Sequence, residues 1–169
     1  LTNRLHHLRN GKTQEWSSFP EQAESSSLEL SFTLPGTPTA STLRLRQQDV
    51  KQSWKVFVNG TMINKLLRDE NDMVRYLAVP ASVLQAGKNQ LTVSTDSTRG
   101  ADDIRVGEIS LFDQAREVVL SEGEVTIQVV NSDGKAIPCR LTILNQSGAL
   151  SAVGAESNTT LAVRPGVVY

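Results

Sequence analysis

The stretch "SWKVFVNGTMINKLL", residues 53–67, decides the fold. Trp54, Val56 and Val58 alternate with Lys55 and Phe57, so one face of a strand is apolar. Asn59-Gly60 follows at once, and this pair suits a two-residue hairpin turn whose central residues both need positive φ. A strand, a tight corner and a returning strand are therefore expected.

The same period of two continues on either side. Leu28, Leu30, Phe32 and Leu34 share a face upstream, and Leu43 and Leu45 point inward against outward Arg44 and Arg46. Downstream, "MVRYLAVP" (73–80) reads as a strand stopped by Pro80. One short turn ends at Gly87, and a further strand carries Leu91 and Val93 inward. In "IRVGEISLF" (104–112), Ile104 and Val106 face inward before Gly107-Glu108, and Ile109 and Leu111 after it, a break that predicts a β-bulge. No helical period is sustained, so the fold class is all-β, a sandwich.

Residues 1–26 are polar and lack a clean period; they are expected to form an N-terminal arm or irregular lead-in to a sandwich over 27–114. Residues 115–169 read as a second, small β-unit. In "VTIQVV", Val125, Ile127 and Val129 are expected inward, Asp133-Gly134 makes a turn, and Cys139, Leu141 and Ile143 answer on one face of "CRLTIL". "TTLAVRP" (159–165) adds a last strand. Three or four strands are too few for an independent core, so this unit is expected to be incomplete or to lean on the first. The start at Leu1 and the strand-like end "AVRPGVVY" lead to the expectation of a piece of a longer polypeptide.

Composition narrows the function classes. The 17 basic and 18 acidic residues leave no basic surplus for nucleic-acid or anionic-membrane binding. No apolar run approaches the ~18 residues that span a bilayer, so membrane insertion is not expected. Cys139 is the single cysteine, which excludes a disulfide within the chain.

The segments "SWKVFVNGTMINKLL", "VRYLAVPASVLQAGKNQLTVS" and "DDIRVGEISLF" together resemble the galactose-binding-domain-like jelly-roll sandwiches that serve as accessory modules of bacterial carbohydrate-active enzymes. The stretch "VTIQVVNSDGKAIPCRLTILNQSGAL" is similar to carboxypeptidase-regulatory-like or immunoglobulin-like (Ig-like) β-modules. It also resembles segments preceding a metal-dependent hydrolase domain of the polymerase-and-histidinol-phosphatase-like superfamily in secreted bacterial proteins. The resemblance implies a jelly roll followed by a small Ig-like unit, an extracellular or periplasmic location, and a downstream domain of the same polypeptide as partner.

Catalytic equipment is sparse. His6 and His7 are the only histidines, both in the expected arm, and no serine sits in G-x-S-x-G, so no nucleophile–base pair is anticipated and the chain is read as a non-enzyme. One cysteine and one histidine pair do not supply a zinc site, and no phosphate-binding glycine loop is present. Asp102 and Asp103 carry two readings. With Asp96 and Glu108 they form the start of a structural Ca²⁺ site, the one cofactor considered, though calcium wants six to eight oxygens. Otherwise they are the polar mouth of a strand, one of them bonding backbone N–H groups.

Sugar binding asks for an aromatic platform and a few polar side chains. Aromatic residues make up only 5% of the chain. Trp54 is assigned to the core, Tyr76 to the core or the concave face, and Trp16 either to packing the arm onto the sandwich or to an exposed platform. Arg44 and Arg46 are the candidates for bonding hydroxyls. Two functions follow: an accessory module whose ligand contacts come from Trp16, Arg44, Arg46 and Tyr76, or a spacer or protein-interaction module that positions a downstream hydrolase domain.

Overall fold

The computed structural model describes residues 1–97, 100–121 and 126–142, together with the backbone of 167–168. The strands are β1 (Thr2–Asn10), β2 (Leu28–Leu34), β3 (Ser41–Gln48), β4 (Lys55–Val58), β5 (Thr61–Lys65), β6 (Met73–Val79), β7 (Gly87–Ser94), β8 (Asp102–Phe112) and the short β9 (Val167–Val168). A 3₁₀ turn occupies Ala81–Val83, and one helical turn, α1, spans Arg116–Val119.

Antiparallel pairing is nested around the Asn59-Gly60 corner, where φ is 49° and 79°. β4 pairs with β5, β3 with β6, β2 with β7 and β1 with β8. This long folded ribbon rolls up when β3 also pairs with β8 and β4 with β7. The result is two sheets, β1-β8-β3-β6-β9 and β2-β7-β4-β5, in jelly-roll order. The corner is pinned: Asn59 Nδ2 donates to Asn89 Oδ1 (2.8 Å) and to the Val83 carbonyl (2.9 Å), and Asn59 Oδ1 accepts from Gln90 N (2.9 Å).

The core between the sheets is built from the inward side chains read from the alternation. Leu43, Leu45, Trp54, Val56, Val58, Leu91, Val93, Ile104, Val106 and Ile109 are all buried, and Leu30, Phe32, Leu34 and Leu111 pack against them. The bulge stands where it was expected. Arg44 pairs with Ser110 but Arg46 with Gly107, so β8 carries one extra residue, and Glu108 takes φ 45°. It is what lets Val106 and Ile109 both face inward.

Two expectations are corrected. Residues 1–26, expected as an arm or irregular lead-in, begin with a strand: Thr2–Asn10 is β1, paired along β8, with His7, Leu8 and Arg9 buried. The reason is polar satisfaction rather than apolar alternation, as the contacts of His7 and Arg9 show below. Only residues 11–27 are largely irregular. As an edge strand, β1 is covered in part by Glu24 and Ser25, through Arg9 N to Ser25 O (3.0 Å) and Glu24 N to His7 O (3.0 Å). Arg4 grips Glu24 with two hydrogen bonds (2.9 and 2.7 Å), and these hold the Glu24 carboxyl down to about 2.

The second correction concerns the C-terminal segment. Its Asp133-Gly134 turn is present, with an isolated bridge between Val130 and Ala136, but the described residues 126–142 contain no strand. Ile127 and Leu141 are about half exposed and Cys139 is exposed, contrary to their expected inward placement; Val129 is intermediate. Alternation sorts side chains onto two faces only where the chain pairs as a strand, and beyond the Val130–Ala136 bridge the described residues here do not pair. Val125, Ile143 and the expected strand 159–165 lie outside the described residues.

Gly107 is required by the close approach of β1. A Cβ there would overlap the Arg4 carbonyl oxygen and lie 2.8 Å from Leu5 Cα, both rigid backbone. Gly107→Ala is expected to lower stability by ~1–3 kcal/mol through overpacking, measured by urea denaturation. A variant within experimental error of the parent would show that β1 does not sit there.

Candidate functional site

The first two residues of β8 hold both ends of the site. Neighbours on a strand point to opposite faces, and Asp102 and Asp103 do so, each fully buried. Asp102 faces the core. Its Oδ2 accepts from Trp54 Nε1 (2.7 Å) and Gln52 N (3.0 Å), and its Oδ1 from Lys51 N (3.3 Å). A buried indole N–H needs an acceptor, and the turn from β3 to β4 leaves two amides without a ladder partner; one carboxylate satisfies all three. Burial pushes the Asp102 carboxyl above its usual range despite these donors.

Asp103 faces the opposite way, toward β1. Its Oδ1 accepts from His7 Nε2 (2.5 Å) and Arg9 Nε (2.6 Å), and its Oδ2 from Glu15 N (2.7 Å). Glu15 reciprocates, its Oε2 accepting from Asp103 N (3.1 Å). Burial acts to raise the Asp103 carboxyl, but the bonds from Glu15 N, His7 and Arg9 outweigh it and hold the group below its ordinary value. Arg9 spends its remaining donors on the carbonyls of Glu21 (2.7 Å) and Pro20 (2.9 Å). Phe19, buried, closes the arrangement, its ring 4.9 Å from that of His7 and 4.2 Å from the Arg105 guanidinium carbon.

The segment 11–24 is thus tied down at Glu15, Phe19, Pro20 and Glu21, and between these ties it presents Trp16, 54% exposed. Lys51 Nζ lies 5.7 Å from the Trp16 ring centre and 3.3 Å from Glu15 Oε2. The ring buried against β1 and β8 is that of Phe19, three residues on, while the Trp16 ring is largely exposed. Nothing in the sequence pointed to Arg9 or Phe19, and His7 was set aside with the expected arm, because their partners lie up to 96 positions away in the chain.

The other candidates gather elsewhere. Arg44 and Tyr76 are cross-strand partners on the outer face of the five-stranded sheet, half-buried, with Arg46 in the next row. Arg46 is already engaged: it grips Asp72 (2.8 and 2.5 Å) and Glu108 (2.7 Å), which together raise its pKa further. Arg44 gives one bond, to the Glu108 carbonyl (3.2 Å), and keeps donors to spare. The structure therefore brings Arg44, Arg46 and Tyr76 together and leaves Trp16 apart, at the end where β3 stops and β8 begins.

The acidic residues considered for calcium are not gathered. Asp96 pairs with Lys55 (2.8 Å), Glu108 with Arg46, and the oxygens of Asp102 and Asp103 are taken by N–H donors on opposite faces. Among the described residues no three His, Cys, Asp or Glu side chains are placed to hold a metal ion. His7 Nε2 meets Asp103 Oδ1 as a base meets its orienting carboxylate, but Arg9 and the Glu15 amide share that carboxylate and the buried His7 Nδ1 meets no hydrogen-bonding partner among the described residues.

Asp103→Ala is expected to free the Glu15 amide. Hydrogen exchange at Glu15 should speed up at least tenfold while the amides of β4 and β7 keep their protection; unchanged exchange would show that Asp103 does not anchor the segment.

Residues 15–101 match the family model described as the beta-galactosidase second all-beta domain. The match takes in the Trp16 segment and β2 to β7, and stops one residue before Asp102. No curated protein matches the chain. With more than half of its length matched, two sheets rolled into a sandwich and the Trp16 segment inside the match, the chain belongs to the beta-galactosidase second all-beta domain family.

Proposed function

We propose that this jelly roll is a non-catalytic accessory module that binds carbohydrate, or a similar polyhydroxylated ligand, for a secreted multidomain protein working outside the cell or in the periplasm. The observation that carries the reading is the exposed Trp16 ring on an anchored segment. A sugar stacks its C–H face on such a ring while its hydroxyls meet neighbouring charged groups, here Lys51 and Glu15. Anchoring matters because a platform ordered in advance loses little entropy on binding. Family membership supports a carbohydrate-related role. Arg44 and Tyr76 offer a second, weaker polar face.

A spacer that positions a downstream hydrolase domain is the alternative. It is favoured by the exposed apolar side chains Ile127, Val130, Ile137 and Leu141, which a following domain would cover.

Trp16→Ala is expected to weaken binding to a responsive polysaccharide about tenfold or more, a loss of ~1.4 kcal/mol. Stability should stay within ~0.5 kcal/mol, because the ring is largely exposed. A glycan panel followed by calorimetry reads the first and thermal melting the second. Silence across the panel, or binding indifferent to Trp16→Ala, would favour the spacer.

A further inference from the structure

Arg75 is placed where a cation is costly. It lies on β6 opposite Leu45 and shares the inward register of Met73, Leu77 and Val79, all buried. The residue is half-buried, and its Nη1 is shielded from solvent with no hydrogen-bond partner among the described residues. Other arginines of the sandwich are matched: Arg9 by Asp103 and two carbonyls, Arg46 by Asp72 and Glu108, Arg105 by Asp49 and the Ser18 carbonyl. Among the described residues, the charged group that acts on Arg75 is a second guanidinium, Arg116 of α1, a turn that packs on β3 and β6. Burial first, and then Arg116, push the Arg75 pKa down.

Among the described residues the shielded Nη1 of this partly desolvated guanidinium lacks the acceptor that buried charges are normally given. Its planar fork matches a carboxylate or sulfate, two oxygens to two N–H groups. We propose that Arg75 is the receptor for a carboxylate or sulfate group carried by a small soluble ligand. The site is independent of Trp16, which sits on the segment between β1 and β2, so the two can fail separately.

The test uses the full chain in a buffer of monovalent ions, with sodium sulfate, glucuronate and galactose as probes. Sulfate or glucuronate should raise the melting temperature saturably, and more than in Arg75→Met, whose affinity should fall at least tenfold; galactose should not act here. Trp16→Ala should keep the anion response. Without anion, Arg75→Met should melt at or above the parent, since it removes an unmatched charge. In the parent itself the Arg75 Nε–Hε resonance should shift saturably on anion addition, a readout that needs no variant. Equal anion responses in parent and Arg75→Met, a stationary resonance, or an Arg75→Met that melts well below the parent without anion would each overturn the proposal.

Discussion

Two neighbouring carboxylates facing opposite ways hold this sandwich to its loops. Asp102 gathers the β3–β4 turn and the Trp54 indole from the core side, and Asp103 gathers β1 and the Trp16 segment from the outer side. Period-two geometry makes this division automatic: one dipeptide at a strand end serves two layers. Their protonation acts in opposite senses. Asp103, held below its unfolded value, adds stability that is present above the ordinary carboxylate pKa and lost as pH falls through its folded one. Asp102, held above, binds its proton more tightly in the folded state, so its share declines as pH rises past its unfolded value.

The nested ribbon and the bulge set what each face presents. Gly107-Glu108 turns the even-numbered inward set of β8 into an odd-numbered one and swings Glu108 outward to Arg46. Beyond it, β1 approaches closely enough to require glycine at 107, and that approach puts His7 and Arg9 beside Asp103. Packing, bulge and buried charge are thus linked from the corner at Asn59 to the exposed ring at Trp16.

Much of this architecture was legible in the sequence. Asn59-Gly60, the alternation over Leu28–Leu34, 43–46 and 54–58, and the broken alternation at 107–108 each correspond to a feature of the fold, because each is a local rule. β1 was illegible for the converse reason. In "LHHLRN" polar residues occupy both registers, and what buries them is a set of hydrogen bonds to residues remote in the chain. The alternation at 126–142 was misread as strands: the described residues there keep the Asp133-Gly134 turn and one isolated bridge but form no strand. In the site, Trp16 was a candidate with two roles, and its exposure was not legible because nothing local distinguishes its ring from that of Phe19, which is buried. Arg75 carries no sequence signal, since a lone arginine in a strand is ordinarily solvated; its significance comes from the register that turns it inward.

The most direct test of the opposed carboxylates is a ¹³C titration of the Asp102 and Asp103 side-chain carboxyls, with and without calcium. Adjacent residues should titrate on opposite sides of 3.8, Asp102 above and Asp103 below, and calcium should move neither. Midpoints that coincide, or that shift together when calcium is added, would contradict the account.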